Sequence, residues 1–225
     1  KSIGPVTFFR NRRSKSMKIS VKPDKSVLVS FPFFVSEKEV LAFLARNETW
    51  IRKQQEKAEK QQISFNEGFF VKTRMHTVYL QKGLSTGDVN VKNNDVTIFI
   101  RDFQSENARL AVEYTLTQIF RMEAHLLLPK RLTELAHKFG FSYNKVSIRN
   151  NKRNWGSCSS RNNISLNLQM MKLPDQLIDY ILLHELVHTE IKDHSERFWK
   201  KLDEVTGSKA RELAKEVKKY STYTL

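Results

Sequence analysis

One helix carries most of the constraint on this chain. Residues 184–194 read His-Glu-Leu-Val-His-Thr-Glu-Ile-Lys-Asp-His, and Tyr180, Ile181, Leu182, Leu183, Leu186 and Val187 make their segment apolar nearly all round. A helix of that kind is buried. His184 and His188 are four residues apart, so both project from one face, one turn from each other. Two buried imidazoles and a carboxylate need partners, and a metal ion satisfies all three. Glu185 lies about 100° round the helix from His184. From there it reaches a water on the ion without binding the ion. Three protein ligands and one open position are how a catalytic zinc is held, whereas structural zinc is closed by four ligands, often cysteines. The chain has a single cysteine, Cys158.

Spacing selects the third ligand. Positions 0, 4 and 10 of the segment fit the pattern His-Glu-x-x-His-x-x-Gly-x-x-His, except that Ile191 replaces the glycine. The chain is then expected to bend nearer Lys192 and Asp193, with Ser195 as N-cap of a new helix through Phe198, Trp199 and Leu202. His194 lies at that break, where its side chain can turn back to the metal, and is favoured. Asp193, Glu196 and Glu204 are rival oxygen ligands. The expected complement is one zinc per chain.

Ile164, Leu166 and Leu168 alternate with Asn163, Ser165 and Asn167, which gives a strand one buried and one polar face. At a sheet edge such a strand could take an extended peptide through main-chain hydrogen bonds. It could equally be an ordinary hairpin strand. On the first view Asn163, Ser165 and Asn167 are substrate-binding candidates, with Arg153 and Trp155 from the preceding loop. Trp155 either walls the cleft or packs. Arg149, Arg153 and Asn154 are candidates for stabilising an oxyanion. Cys158 could reach the metal only by closing its open position. His76, His125 and His137 read as structural or surface residues.

The rest of the chain supplies the organisation. Short strands are expected at 5–11, 16–22 and 26–31, with turns at Arg13-Ser14 and Pro23-Asp24. Ser36 caps a helix carrying Val40, Leu41, Phe43, Leu44 and Ile51 at helical spacing, with a polar tail from Arg52 to Gln62. Strands return at 69–73, 76–81, 88–92 and 95–101. A helix over 106–138 follows, bent or broken at Pro129. Strands at 145–149 and 163–169 flank a Trp-Gly-Ser-Cys loop, and Pro174 opens the histidine helix. The expected fold is α+β: a β-rich N-terminal section with one helix over 1–104, then a domain over 105–225 with its histidine helix beside a small sheet.

The 225 residues, 40% of them apolar, suffice for a real core, and no run of 18 or more apolar residues marks a membrane span. One cysteine suits a reducing cytoplasm. No signal peptide opens the chain. The net charge is +15. Lys1, Arg10, Arg12, Arg13, Lys15, Lys18, Lys22 and Lys25 face only Asp24 within residues 1–25. This basic section either makes weak, non-specific contact with nucleic acid or is a solvated hairpin whose lysines block edge-to-edge association.

Two stretches carry a family resemblance. They are Trp155-Gly156-Ser157-Cys158-Ser159-Ser160-Arg161 with Asn163-Ile164-Ser165-Leu166-Asn167, and His184 to Trp199 with its ending His194-Ser195-x-x-Phe198-Trp199. Together they resemble the YgjP-like metallopeptidases, a zincin-type family of metal-dependent hydrolases, which implies a minimal zincin-like domain over 105–225. The basic N-terminal stretch and the segment Trp50-Ile51-Arg52-Lys53-Gln54 are similar as well. The resemblance implies His184, His188 and His194 as zinc ligands and Glu185 as catalytic base, acting on a zinc-bound water to hydrolyse peptide bonds. Asn162 stands where glycine is expected before Asn163-Ile164, and Asn154 where a basic residue often precedes the tryptophan. Both departures bear on loop shape or substrate preference rather than on the metal. The alternative is a basic nucleic-acid-associated module with structural zinc, or a protease recruited to nucleic-acid-bound proteins.

Overall fold

The computed structural model describes residues 3–22, 25–60 and 65–225, the side chains of 57–60 excepted. Lys1, the Pro23-Asp24 turn and the end of the polar tail at Gln62 lie outside them. The chain forms two compact units, Lys1–Ser64 and Phe65–Leu225.

The first unit is built on a three-stranded sheet of β1 (Val6–Asn11), β2 (Lys18–Val21) and β3 (Val27–Pro32), in the order β1-β3-β2. Within the basic stretch β1 and β2 do not pair with each other; both are edge strands, and β2 forms its hairpin with β3. β1 runs parallel and β2 antiparallel to β3, one on each side. β3 is the most apolar of the three and takes the centre, where Val27, Val29 and Phe31 bury against Val40 and Ile51. Two helices pack here rather than the expected one: α1 (Glu37–Arg46) and α2 (Glu48–Lys60). A capping box starts α1. The Ser36 N–H donates to Glu39 Oε2 at 2.9 Å, and the Glu39 N–H donates back to Ser36 Oγ at 3.4 Å. Asn47 stops it, leaving the helical region at φ −102°, ψ 8°, while its side-chain amide donates to the Phe43 carbonyl at 2.8 Å. Short polar side chains compete in this way with the helical ladder. Leu41 points to solvent.

The second unit opens with a four-stranded sheet of β4 (Phe70–Lys72), β5 (Thr77–Lys82), β6 (Val89–Lys92) and β7 (Asp95–Ile100), ordered β4-β5-β7-β6. Its inner residues Val78, Leu80, Val96, Ile98 and Ile100 share one apolar cluster with Val112, Leu116 and Phe120 of the following helix, α3 (Glu106–Phe139). That shared core is why the compact units part ahead of Phe65 rather than near residue 104, where the sequence pattern changes from strand to helix. The Glu123 carboxylate, fully buried on α3, accepts from Thr73 Oγ1, the Arg74 and Met75 N–H groups and His76 Nδ1, which pins the β4–β5 turn. His76 is thus bonded structurally.

Pro129 does not break α3. Buried Leu128, Leu132 and Leu135 hold the helix to the core on both sides of it. The helix ends at Gly140, whose φ of 74° turns the chain so that the Phe141 N–H reaches the Ala136 carbonyl at 2.9 Å, the left-handed cap that glycine adopts without strain. Next come β8 (Lys145–Arg149), β9 (Gly156–Cys158), β10 (Asn163–Asn167), a 3-10 helix (Leu168–Lys172) and three helices: α4 (Asp175–Val187), α5 (Glu196–Thr206) and α6 (Ala210–Val217). Pro174 stands one residue ahead of α4, as its N-cap. The small sheet is ordered β8-β10-β9, parallel between β8 and β10 and antiparallel between β10 and β9. No helix among the described residues is long and apolar enough to cross a membrane.

Candidate metal centre

α4 places His184 in its last turn and ends at Val187. His188 follows as its C-cap with φ −65° and ψ −11°, still in the right-handed region. The one-turn relation of the two imidazoles therefore survives the end of the helix, with ring centroids 4.8 Å apart. The Thr189 and Glu190 N–H groups then bond three residues back, to Leu186 and Val187. Ile191 buries its side chain, and its carbonyl accepts from His188 Nδ1 at 2.9 Å. This hydrogen bond leaves a lone pair on His188 Nε2, facing inward.

No position from 189 to 195 has a positive φ. The loop thus turns without the glycine that Ile191 replaces. Asp193 Oδ1 accepts from the Ser195 N–H at 3.1 Å and sets the entry to α5. His194 swings back between these two points. The three Nε2 atoms of His184, His188 and His194 form an equilateral triangle, 3.2 Å on each side. Three nitrogens about 2.0–2.1 Å from a tetrahedral zinc stand about 3.3 Å apart, so the triangle fits such an ion. Among the described residues these three alone cluster as metal-binding groups; Asp193, Glu196 and Glu204 do not join them. Burial, then the neighbouring His188 and His194, lower His184 to about 3, which keeps the imidazole neutral, as a ligand must be.

Phe198 of α5 is fully buried beneath the triangle, its ring 4.9, 4.5 and 4.8 Å from those of His184, His188 and His194. The sequence places Phe198 on the new helix but gives no sign of this role. The four-residue spacing of Phe198 and Leu202 marks only a buried face.

Glu185 is 5% exposed, and its Oε2 is buried without a hydrogen-bond partner. It faces β9. A Cβ on Gly156 would stand 2.6 Å from Glu185 Oε1 and 2.7 Å from its Cγ. Only glycine lets the strand lie this close. We therefore expect Gly156→Ala to displace the Glu185 carboxylate and cut any Glu185-dependent turnover at least tenfold. A crystal structure of the variant with Glu185 unmoved would contradict this.

Of the two readings of 163–167, edge strand or ordinary hairpin strand, the structure excludes the edge: β10 is central, and the edge beside α4 is β9. In the ladder the Ser159 N–H bonds the Asn163 carbonyl and the Asn167 N–H bonds that of Trp155. The main-chain groups of Gly156 and Cys158 therefore point away from β10. Gly156 and Cys158 pair with Leu166 and Ile164 on the face toward α4. Asn163, Ser165 and Asn167 alternate with these and lie on the opposite face, so the structure does not bring them to the metal ligands. Asn167 is buried, and its amide donates to the Asn151 and Asn154 carbonyls at 2.6 and 2.9 Å. It shapes the loop. Trp155 is half-buried against the core, and Arg153 is exposed on the 150–154 loop. Asn162, the departure from glycine, sits at φ 55°, a left-handed conformation asparagine tolerates.

Burial pushes the Glu185 carboxyl up to about 8 in the metal-free protein. The folded state then keeps a proton that the unfolded chain, at 4.5, releases. Stability from this group is full below pH 4.5 and is lost as the pH rises toward 8. His184 acts oppositely, but only below its ordinary 6.5. In chelator, raising the pH from 6.5 to 8 should cost at most about 2 kcal/mol, and Glu185→Gln should abolish that slope. Urea unfolding at the two pH values measures it, and an equal slope in both proteins would contradict it.

A helix bearing His-Glu-x-x-His, closed by a third histidine and lying against the edge of a small sheet, is the arrangement of a metallopeptidase site. The YgjP-like metallopeptidase domain matches residues 15–220. The chain belongs to this YgjP-like family, and it is a metal-dependent peptidase by class. Among solved structures it is similar to the metallopeptidase zymogen abylysin of Pyrococcus abyssi, at 25% identity over 41% of this chain and 94% of that one, with a TM-score of 0.37. The zymogen of Methanocaldococcus jannaschii jannalysin matches at 22% identity over the same shares, 41% and 94%, with a TM-score of 0.36. No curated protein matches.

Proposed function

We propose that this chain is a zinc-dependent peptidase in which His184, His188 and His194 hold the metal and Glu185 is the catalytic base. The observation that carries this reading is the 3.2 Å triangle of Nε2 atoms, together with the buried, unpartnered oxygen of Glu185, the residue after His184. Zinc held by these three imidazoles would supply Lewis-acid chemistry and make water a nucleophile near neutral pH. Glu185 accepts the proton of the attacking water and passes it to the leaving amine. The outer edge of β9 pairs with an extended peptide through the main-chain groups of Cys158 and the Gly156 N–H, the Gly156 carbonyl already accepting from Asn154 Nδ2 at 3.0 Å. Arg153 and Trp155, on the loop entering β9, are the side chains proposed to touch substrate. The catalytic portion is 105–225, the substrate is peptide or protein, and the compartment is the reducing cytoplasm. A structural-zinc module would leave the Glu185 carboxylate without a role.

Elemental analysis tests the metal. About one zinc per chain is expected. Metal retained at that level in His184→Ala/His188→Ala would contradict the assignment. His194→Ala should strip zinc, while Glu204→Ala and Asp193→Ala should not; the reverse pattern would replace the third ligand.

A further inference from the structure

Lys192 lies in the loop between His188 and His194, and its ammonium is committed to a turn far away in sequence. Its Nζ donates to the Ser159 carbonyl at 3.0 Å and to Asn162 Oδ1, and stands 3.7 Å from Cys158 Sγ. A lysine has three N–H donors, and all three are taken up by one stretch of chain. That stretch is the end of β9 and the turn into β10. The turn closes on itself, with the Asn162 N–H on the Ser159 carbonyl at 3.0 Å and the Asn163 N–H on Ser159 Oγ at 3.1 Å.

β9 has only three residues and reaches the metal side of the fold at two places. At its start, Gly156 abuts Glu185. At its end, Lys192 ties it to the loop that delivers His194. Hydrogen bonds made by a charged group are among the stronger ones. The departure at Asn162 also finds a use here, since glycine would adopt the same φ but offer no Oδ1.

We propose that Lys192 is a positioning residue for substrate: it holds the outer edge of β9 in register with the metal-ligand loop. The inference rests on the peptidase reading and on peptide pairing with β9. Loss of the latch then weakens peptide binding while the imidazoles and Glu185 keep their chemistry.

The test uses full-length, zinc-loaded protein and fluorescein-labelled, heat-denatured casein. Lys192→Met should raise KM about threefold to tenfold, leave kcat within about twofold and keep the zinc. Lys192→Arg should restore most of the loss, because a guanidinium reaches the same acceptors. Asn162→Gly, which keeps the turn and removes one acceptor, should move KM in the same direction. The double variant should be no worse than Lys192→Met. In metal-free protein, amides of residues 156–163 should exchange faster with deuterium in Lys192→Met. An unchanged KM, a fall in kcat alone, multiplying effects of the two substitutions, or unchanged exchange would overturn the proposal. If casein is cleaved no faster by wild type than by Glu185→Gln, the peptidase reading fails, and the exchange measurement still decides whether the latch exists.

Discussion

Phe198→Ala is expected to destabilise the protein by about 3–5 kcal/mol, the range for truncating a buried phenylalanine, and to weaken metal binding as well. The ring is fully buried and lies within 5 Å, centroid to centroid, of all three imidazoles. It stacks on His188 at an interplanar angle of 30° and meets the other two edge-on. His184 Nδ1 is buried without a hydrogen-bond partner, so packing rather than bonding fixes that imidazole. Removing the ring opens a cavity under the triangle and frees the histidines to turn. A geometry that zinc requires to within a few tenths of an ångström is then no longer held in place. Phe198→Leu, which keeps much of the volume, should lie between. Urea unfolding gives the stability, and competition with a zinc chelator gives the affinity. A Phe198→Ala protein within about 1 kcal/mol of wild type and with undiminished zinc affinity would show that the floor is not what orders the site.

The site was most legible where its geometry is local. His184, Glu185 and His188 sit on one helix and its cap, where the 3.6-residue period sets relative position, and His194 follows within the same loop. The apolar run that buries Glu185 is also plain in the sequence. Strand order was not legible. Alternation in Asn163 to Leu168 shows that one face is polar, but not which face α4 covers. β9 is too short at three residues to show any period at all. Local patterning therefore allows β10 either as an edge strand, with Asn163, Ser165 and Asn167 toward a cleft, or as an ordinary hairpin strand; in the structure it is central and these three lie on the face away from α4. The parallel pairing of β8 with β10 depends on contacts across the loop, which a local pattern does not encode. The break at Asn47 and the unbroken passage through Pro129 have the same origin. In one case a local hydrogen bond prevails over apolar spacing, and in the other leucine burial prevails over a missing N–H.

Glu185→Gln is the second large effect. The amide keeps the shape that packs against Gly156 and cannot accept the proton. General-base catalysis commonly contributes about 10²–10⁴-fold, and hydrolysis should fall by that factor. Zinc should remain, because the carboxylate is not among the clustered metal-binding groups. The pH profile should change as well. Burial holds the metal-free Glu185 carboxyl near 8, and a bound cation beside it favours the ionised form. The zinc-loaded wild type should therefore gain activity as the pH rises through the range below that value. The direct measurement is a side-by-side cleavage profile of an unbiased peptide library by zinc-loaded wild type and zinc-loaded Glu185→Gln, with metal content determined on the same samples. The account predicts equal zinc, cleavage by wild type, and cleavage at least about 10²-fold slower by the variant. Equal zinc with equal cleavage would contradict it.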